Sequence, residues 1–152
     1  MGEILDKKRQ RRRTVQRIVG AGYRRSLGAL VEHLTQEQFV TLANPGVTST
    51  QLLSPHNSQS SRVTITRVVV AAGAIQPRHS HSASEQIWYA LSGSGVLLLA
   101  DGKTHSICAG EVVRFAENEV HGLENAGAAA FEYLSVTSPP INFSDAYAAE
   151  GT

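Results

Sequence analysis

The sequence predicts an all-β protein, a sandwich or barrel, on three observations. Thirteen glycines and five prolines stand among short β-branched runs, a composition typical of many strands joined by tight turns. These runs recur roughly every ten residues, with glycine-containing turns between most of them. At 152 residues and 41% hydrophobic, the chain has the size of one globular domain and can bury a core.

The first segment, residues 1–25, is basic and polar. It carries nine Lys or Arg against Glu3 and Asp6, a net charge of +7, whereas residues 26–152 have five basic and eleven acidic residues, a net −6. Because this segment lacks the apolar residues that offset ordering entropy, we expect a disordered arm. An arm that binds nucleic acid or a membrane surface is the alternative. The acidic remainder does not favour a nucleic-acid-binding domain.

The second segment, residues 26–45, has a helical pattern. Its apolar residues recur at the spacing of one helix face and are Leu27, Leu30, Val31 and Leu34. Thr35 followed by Gln38 resembles a capping box. We therefore expect one or two short helices here, ended by the turn signal Asn44-Pro45-Gly46.

The remaining residues, 46–152, are assigned to the barrel. The predicted strands cover residues 47–53, 62–70, 86–91, 95–99, 103–107, 111–115, 121–125 and 130–136. Proline lacks the backbone donor of a central strand, so Pro139 and Pro140 should end the sheet and leave a tail packed along its outside.

Two histidines, His79 and His81, flank Ser80, which places both imidazoles on one face of an extended segment. Around them the chain reads Gly73, five residues, His79-Ser80-His81, four residues, Gln86, six residues, Gly93. This arrangement resembles the first cupin motif, with glutamine in place of its carboxylate.

A second stretch keeps the spacing of the second cupin motif. It reads Gly110, five residues, Ala116-Glu117-Asn118, two residues, His121, three residues, Asn125. Ala116 replaces the proline of that motif and Asn118 its second glycine. Two spacings in the right order identify the chain as resembling a small single-domain cupin over about residues 63–136.

The resemblance implies a double-stranded β-helix, the cupin jelly-roll barrel, and a metal site inside it. It places His79, His81, Gln86 and His121 around one divalent ion. Imidazole nitrogens with one amide oxygen suit Fe, Mn, Ni, Zn, Co or Cu. A cupin that has lost its metal is the alternative.

Gln86 rather than Glu85 is predicted as the oxygen ligand, because it alone keeps six residues before Gly93. Alternation along the strand then sends Trp88 and Ala90 inward with it. A neutral amide beside three neutral histidines leaves the ion its full +2 charge, which favours Lewis-acid chemistry.

Further residues are candidates for the substrate pocket or for acid–base chemistry. The predicted pocket residues are Trp88, Ala90, Phe115 and Tyr133, with a position in the core as the alternative for Trp88. Glu132 or Tyr133, on the last strand, is a candidate acid or base, with a rim position as the alternative. The three histidines outside both motifs, which are His33, His56 and His105, are expected at the surface. Cys108 reads as a small buried hydrophobe.

The function expected from this resemblance is that of a metal-dependent enzyme, an isomerase, lyase or dioxygenase, acting on a small oxygenated molecule such as a sugar or carboxylate. A non-catalytic binding module and an oxygen-dependent dioxygenase are the alternatives. The HxH(X)4Q pattern is similar to cupins that linearise unsaturated uronates, but residues 134–140 lack the acid and arginine that those enzymes use. We also expect a homodimer without membrane contact, and the lone Cys108 fits a reducing cytoplasm.

Overall fold

A computed structural model describes residues 31–144, and within that range the chain forms ten strands and two single-turn 3-10 helices. The strands are β1 Val40–Asn44, β2 Val47–Leu53, β3 Thr64–Val70, β4 Ile75–His79, β5 Glu85–Ser92, β6 Ser94–Leu98, β7 Thr104–Cys108, β8 Val112–Phe115, β9 His121–Glu124 and β10 Phe131–Ser138. The 3-10 helices are Gln36–Gln38 and Ala100–Gly102. The all-β prediction is confirmed.

The strands form two antiparallel sheets. The large sheet has the order β1-β2-β3-β10-β5-β8 and the small sheet the order β4-β9-β6-β7. Both sheets contribute to one apolar core, in which Leu97 and Leu123 of the small sheet join Val68, Trp88 and Phe131 of the large one. Strands distant in sequence thus become neighbours, which brings the two predicted motifs together.

Alternation sets which side chains face the core. Every second residue of β10 is buried, from Phe131 through Thr137, and β3 alternates in the same way from Thr64 to Val70. β3 and β10 pair directly, with Ser135 opposite Thr66. The inward row across these central strands is therefore partly polar, and its members Thr66 and Ser135 line a cavity.

Where the structure describes residues 26–45, one short turn agrees with the helical prediction and residues 40–44 contradict it. Residues 40–44 form β1, which pairs with β2, and only the turn Gln36–Gln38 is helical. The capping interaction is present, since the Thr35 amide donates to Gln38 Oε1 at 3.0 Å. Strand pairing provides β1 with more hydrogen bonds than a further short helical turn would. The predictions for residues 1–30 lie outside the described residues.

Three other expectations concern the surface. Cys108 is exposed and not buried, because its neighbour Ile107 takes the inward position of β7. His33, His56 and His105 are exposed, as predicted. No helix in residues 31–144 is long and apolar enough to cross a membrane.

Candidate metal centre

Three histidines meet where β4 and β9 pair. His79 ends β4 and is the register partner of His121, the first residue of β9, while His81 follows two residues after His79. One ring nitrogen of each lies within 4.8 Å of the others. The ring centroids of His79 and His121 are 4.5 Å apart, and His81 lies 5.1 Å and 5.3 Å from them. The structure therefore brings together the three histidines of the two motifs.

Main-chain carbonyls orient two of these rings. Nδ1 of His79 lies 2.9 Å from the Pro77 carbonyl oxygen, and Nδ1 of His121 lies 2.8 Å from that of Glu119. A carbonyl oxygen only accepts, so each Nδ1 carries a hydrogen and donates it. In the neutral ring, Nε2 then keeps a lone pair, the state in which histidine binds a metal ion.

Burial keeps two of the rings neutral. Desolvation lowers the pKa of His81 to about 4, and the nearby His79 adds to this shift. Desolvation also lowers the pKa of His121 to about 4, against the raising effect of its hydrogen bond to Glu119. At neutral pH both rings are therefore uncharged, and each has one nitrogen with a free lone pair.

Gln86 completes the cluster, and its orientation is set by two buried neighbours. Trp88 Nε1, which can only donate, gives a hydrogen bond to Gln86 Oε1 at 2.9 Å, and Gln86 Nε2 donates to Thr137 Oγ1 at 3.1 Å. The amide oxygen therefore faces His121 Nε2 at 3.0 Å. With Nδ1 of His121 protonated, both of these facing atoms carry lone pairs.

This donor set fits a divalent cation. Two acceptors only 3.0 Å apart repel each other unless a positive charge lies beside them. Nε2 of His81 is also buried without a hydrogen-bond partner among the described residues, and such groups are rare in folded proteins. Neutral imidazoles and an amide oxygen match the preferences of first-row transition metals and zinc.

Glu85 points away from this cluster. Its carboxylate accepts from Arg114 Nε at 2.6 Å on the outer face of the large sheet. Gln86, in contrast, is 4% exposed and faces inward with Trp88 and Ala90. The alternation predicted for these residues is confirmed.

A cavity of about 580 Å³ opens beside the histidines, and its composition corrects the predicted pocket. Of the four predicted pocket residues only Tyr133 lines it, and its hydroxyl donates to Gln76 Oε1 at 2.7 Å. Trp88, Ala90 and Phe115 are core residues behind the cluster: Phe115 stacks on His121 with ring centroids 4.3 Å apart, and Trp88 contacts the Tyr133 ring.

Glu132 does not reach the cavity. It lies on the other face of β10 from Tyr133, and both its oxygens accept hydrogen bonds from Arg67, at 2.6 Å and 2.9 Å. The idea that Glu132 acts as an acid or base in the site is therefore wrong.

Sequence reasoning missed much of the cavity wall. The wall also includes Val47, Ser49, Thr66, Gln76, Ser135 and Phe143. The polar members on β3 and β10, Thr66 and Ser135, stand at inward positions of their strands, and this alternation is the sequence signal that could have found them. Phe143 comes from the segment after β10, and its ring lies 6.0 Å from that of His81, so the tail reaches the cavity mouth rather than staying on the outside.

Gly122 allows the two histidine strands to approach each other. A Cβ at this position would lie 2.7 Å from the Gln76 carbonyl oxygen and 3.0 Å from the Arg78 nitrogen. Asn118, at the position of a motif glycine, adopts φ 66° and donates its amide hydrogen to the His81 carbonyl oxygen at 2.8 Å. Asparagine tolerates this left-handed conformation better than most residues, so the loop keeps its shape.

Comparison with known proteins points to one family. The family model described as "Cupin domain" matches residues 66–137, which include both histidine segments. An uncharacterized protein, MJ1618, of Methanocaldococcus jannaschii is 26% identical over 95 residues, covering 62% of this chain and 75% of that protein.

Solved structures agree with this match. A predicted oxalate decarboxylase from Thermotoga maritima has a TM-score of 0.55 and 30% identity, over 60% of this chain and 79% of that one. The polyketide cyclase RemF from Streptomyces resistomycificus has a TM-score of 0.63 at 22% identity, over 72% and 80% of the two chains, which shows a shared fold.

Proposed function

The chain belongs to the cupin superfamily, and we propose that its barrel holds one divalent transition-metal ion at which a small oxygenated organic molecule is bound and converted. The observation that carries this proposal is the convergence of three imidazole nitrogens within 4.8 Å, with the Gln86 oxygen beside one of them. The cavity of about 580 Å³ next to them has the size of a small-molecule site.

The residues of the cluster would hold the ion in a defined way. His79, His81 and His121 supply nitrogens and Gln86 its amide oxygen, which is kept in place by Trp88. When bound, such an ion acts as a Lewis acid that polarises a carbonyl, carboxylate or hydroxyl oxygen. Because imidazole and amide groups bind a metal in their neutral forms, an ion bound here would keep the positive charge that this chemistry uses.

Proton handling in the cavity falls to few groups. Among the described residues, 31–144, those that line the cavity include no Asp or Glu that could act as a carboxylate base. The Tyr133 hydroxyl lies on the cavity wall and donates its proton to Gln76 Oε1 at 2.7 Å. Core packing of Trp88 and Phe115 closes the cluster from behind and excludes water from that side.

That the described lining residues carry no carboxylate supports a second candidate, a non-catalytic module that binds a metal and a small molecule. The relatives do not decide between the two roles, since those compared include a predicted oxalate decarboxylase and a polyketide cyclase. The third candidate is oxygen-dependent dioxygenase chemistry at a site with histidine ligands.

Elemental analysis of the purified protein tests the metal. We expect close to one transition-metal ion per chain, most of it lost in His81→Ala and in His121→Ala. His105→Ala is the matched control, because His105 is an exposed histidine on β7 outside the cluster. Full occupancy in both cluster variants, with unchanged thermal unfolding, would refute the site.

A substrate panel then separates the three functions. Sugars, hydroxy acids and dicarboxylates are incubated with the metal-loaded protein in air and under argon. Turnover in both atmospheres supports Lewis-acid chemistry, and turnover only in air supports a dioxygenase. Saturable binding without any turnover supports the binding module.

A further inference from the structure

Two of the hydroxyl-bearing residues of the large sheet that line the cavity are cross-strand neighbours. Thr66 of β3 and Ser135 of β10 are register partners, both line the cavity, and they are 2% and 3% exposed. Their inward neighbours Val68 and Tyr133 are packed in the apolar core. Burying a hydroxyl in such surroundings costs free energy unless it is hydrogen-bonded.

Neither hydroxyl has a hydrogen-bond partner among the residues that the structure describes. The adjacent inward threonines differ: Thr64 Oγ1 donates to the Ile141 carbonyl oxygen at 3.2 Å, and Thr137 Oγ1 accepts from Gln86 at 3.1 Å. Buried polar groups in native proteins are almost always satisfied. Two buried hydroxyls on a cavity wall that lack a partner among the described residues are therefore positioned to hydrogen-bond to a molecule that occupies the cavity.

The pair lies close to the proposed metal site. Ser135 is two residues from Thr137 on the same face of β10, a separation of about 7 Å along the strand, and Thr137 holds Gln86. A molecule of about six carbon atoms can bridge such a span. Within the part of the chain that the structure describes, no carboxylate lines the cavity, and the guanidinium of the lining residue Arg78 donates to the Leu99 carbonyl oxygen.

We infer that Thr66 and Ser135 are specificity-determining residues that recognise hydroxyl groups of the ligand, whose other end binds at the histidine cluster. The ligand class is then a small polyhydroxylated acid. A hydroxyl group both donates and accepts, as serine and threonine do, so it can satisfy this pair without bringing an unpaired charge into the wall. The inference deepens the proposed function and rests on it.

Thermal unfolding of the metal-free protein tests whether the pair serves the fold. Thr66→Val and Ser135→Ala remove unsatisfied hydroxyls, so Tm should stay the same or rise. Thr64→Val is the matched control, because it removes a hydroxyl that is bonded, and its Tm should fall by several degrees. A fall in Thr66→Val and Ser135→Ala equal to that of Thr64→Val would overturn the inference.

Calorimetry on zinc-loaded protein tests recognition with two six-carbon acids. Gluconate and 2-hydroxyhexanoate share the same α-hydroxycarboxylate end, but only gluconate carries further hydroxyl groups. Each variant should weaken gluconate binding about fivefold, the effect of one lost hydrogen bond, and leave 2-hydroxyhexanoate binding unchanged or tighter. Equal changes for both acids, or no gluconate binding to the unaltered protein, would overturn the inference.

Zinc content, measured on the same samples, separates this inference from the proposed function. If the unaltered protein retains zinc and the variants show no selective loss of gluconate affinity, the hydroxyl pair is refuted and the metal site stands. If the unaltered protein retains neither zinc nor any other transition metal, the metal site is refuted, and with it the ligand orientation inferred here.

Discussion

Gln86 offers the sharpest test of the metal centre, because its neighbour Glu85 provides a control on the same strand. Replacing Gln86 with alanine removes the proposed oxygen donor and also the partner of two buried groups, Trp88 Nε1 and Thr137 Oγ1. Each buried group left unsatisfied costs about 1–3 kcal/mol. We expect Gln86→Ala to lower the free energy of unfolding by roughly 2–4 kcal/mol, since Thr137 can redirect its hydroxyl.

Metal affinity in Gln86→Ala should fall by about tenfold or more, since changes around a metal site have effects of that size. Glu85→Ala loses only the exposed ion pair with Arg114, whose side chains are 36% and 60% exposed. Such pairs contribute about 0.2–1 kcal/mol, so Glu85→Ala should keep its metal and nearly all its stability.

Gln86→Glu separates stability from charge. A carboxylate still accepts from Trp88 Nε1, and Thr137 can donate to it, so the fold should be retained. The added negative charge should hold the ion at least as well but weaken its polarising effect, so turnover should fall while metal content is kept. Titration calorimetry, elemental analysis and urea unfolding measure these quantities. Loss of metal in Glu85→Ala with retention in Gln86→Ala would refute the reasoning.

Four other outcomes are expected. Gly122→Ala should destabilise the fold by about 1–3 kcal/mol and reduce metal content, because its Cβ would lie 2.7 Å from the main chain of β4; unchanged unfolding and metal analysis would contradict this. Deleting residues 1–25 should leave the melting curve and metal content intact, whereas salt-sensitive binding to DNA or anionic vesicles that disappears on deletion would support a binding arm. Light scattering should give a dimer, since the outer face of the large sheet exposes apolar residues such as Tyr89; a monomer at micromolar concentration argues against it. Arg67 lowers the pKa of Glu132, so their pair stabilises the fold above the ordinary glutamate pKa and ceases to do so as pH falls through the lowered one; Arg67→Ala should cost about 0.5 kcal/mol at pH 7 and nothing in strong acid, as measured by unfolding at both pH values.

The sequence predicted the regular strands well and the irregular ones poorly. Residues 47–53 were predicted as a strand with the observed bounds, because alternation and turn signals agree there. β4 was missed: it contains Pro77, and its register with β9 shifts between Gln76 and His79, so its pattern does not alternate. β1 was missed because its short pattern continues a helical one, and only its pairing with β2 decides between them.

The candidate site was predictable as a set of residues but not as a surface. Fixed spacings placed three histidines and Gln86 together, and alternation correctly turned Glu85 outward. Alternation also predicted correctly that Trp88 faces inward, but it does not predict how deeply a side chain is buried. The cavity is lined by Thr66 and Ser135, which come from other strands. Those contacts depend on which strands neighbour each other, which local patterns do not encode.

The carbonyls that hold His79 and His121 belong to the main chain of Pro77 and Glu119, so the support of these rings does not depend on the side chains at those two positions. Where a side-chain carboxylate orients a ligand histidine, one substitution removes that support. Here main-chain carbonyl oxygens orient both rings. Substitution of Glu119 should therefore leave the ring orientation of His121 unchanged. The third histidine, His81, could be replaced by another donor while His79 and His121 keep their orientations. The fixed orientation of these two rings makes the centre a suitable starting point for redesign toward a different metal ion.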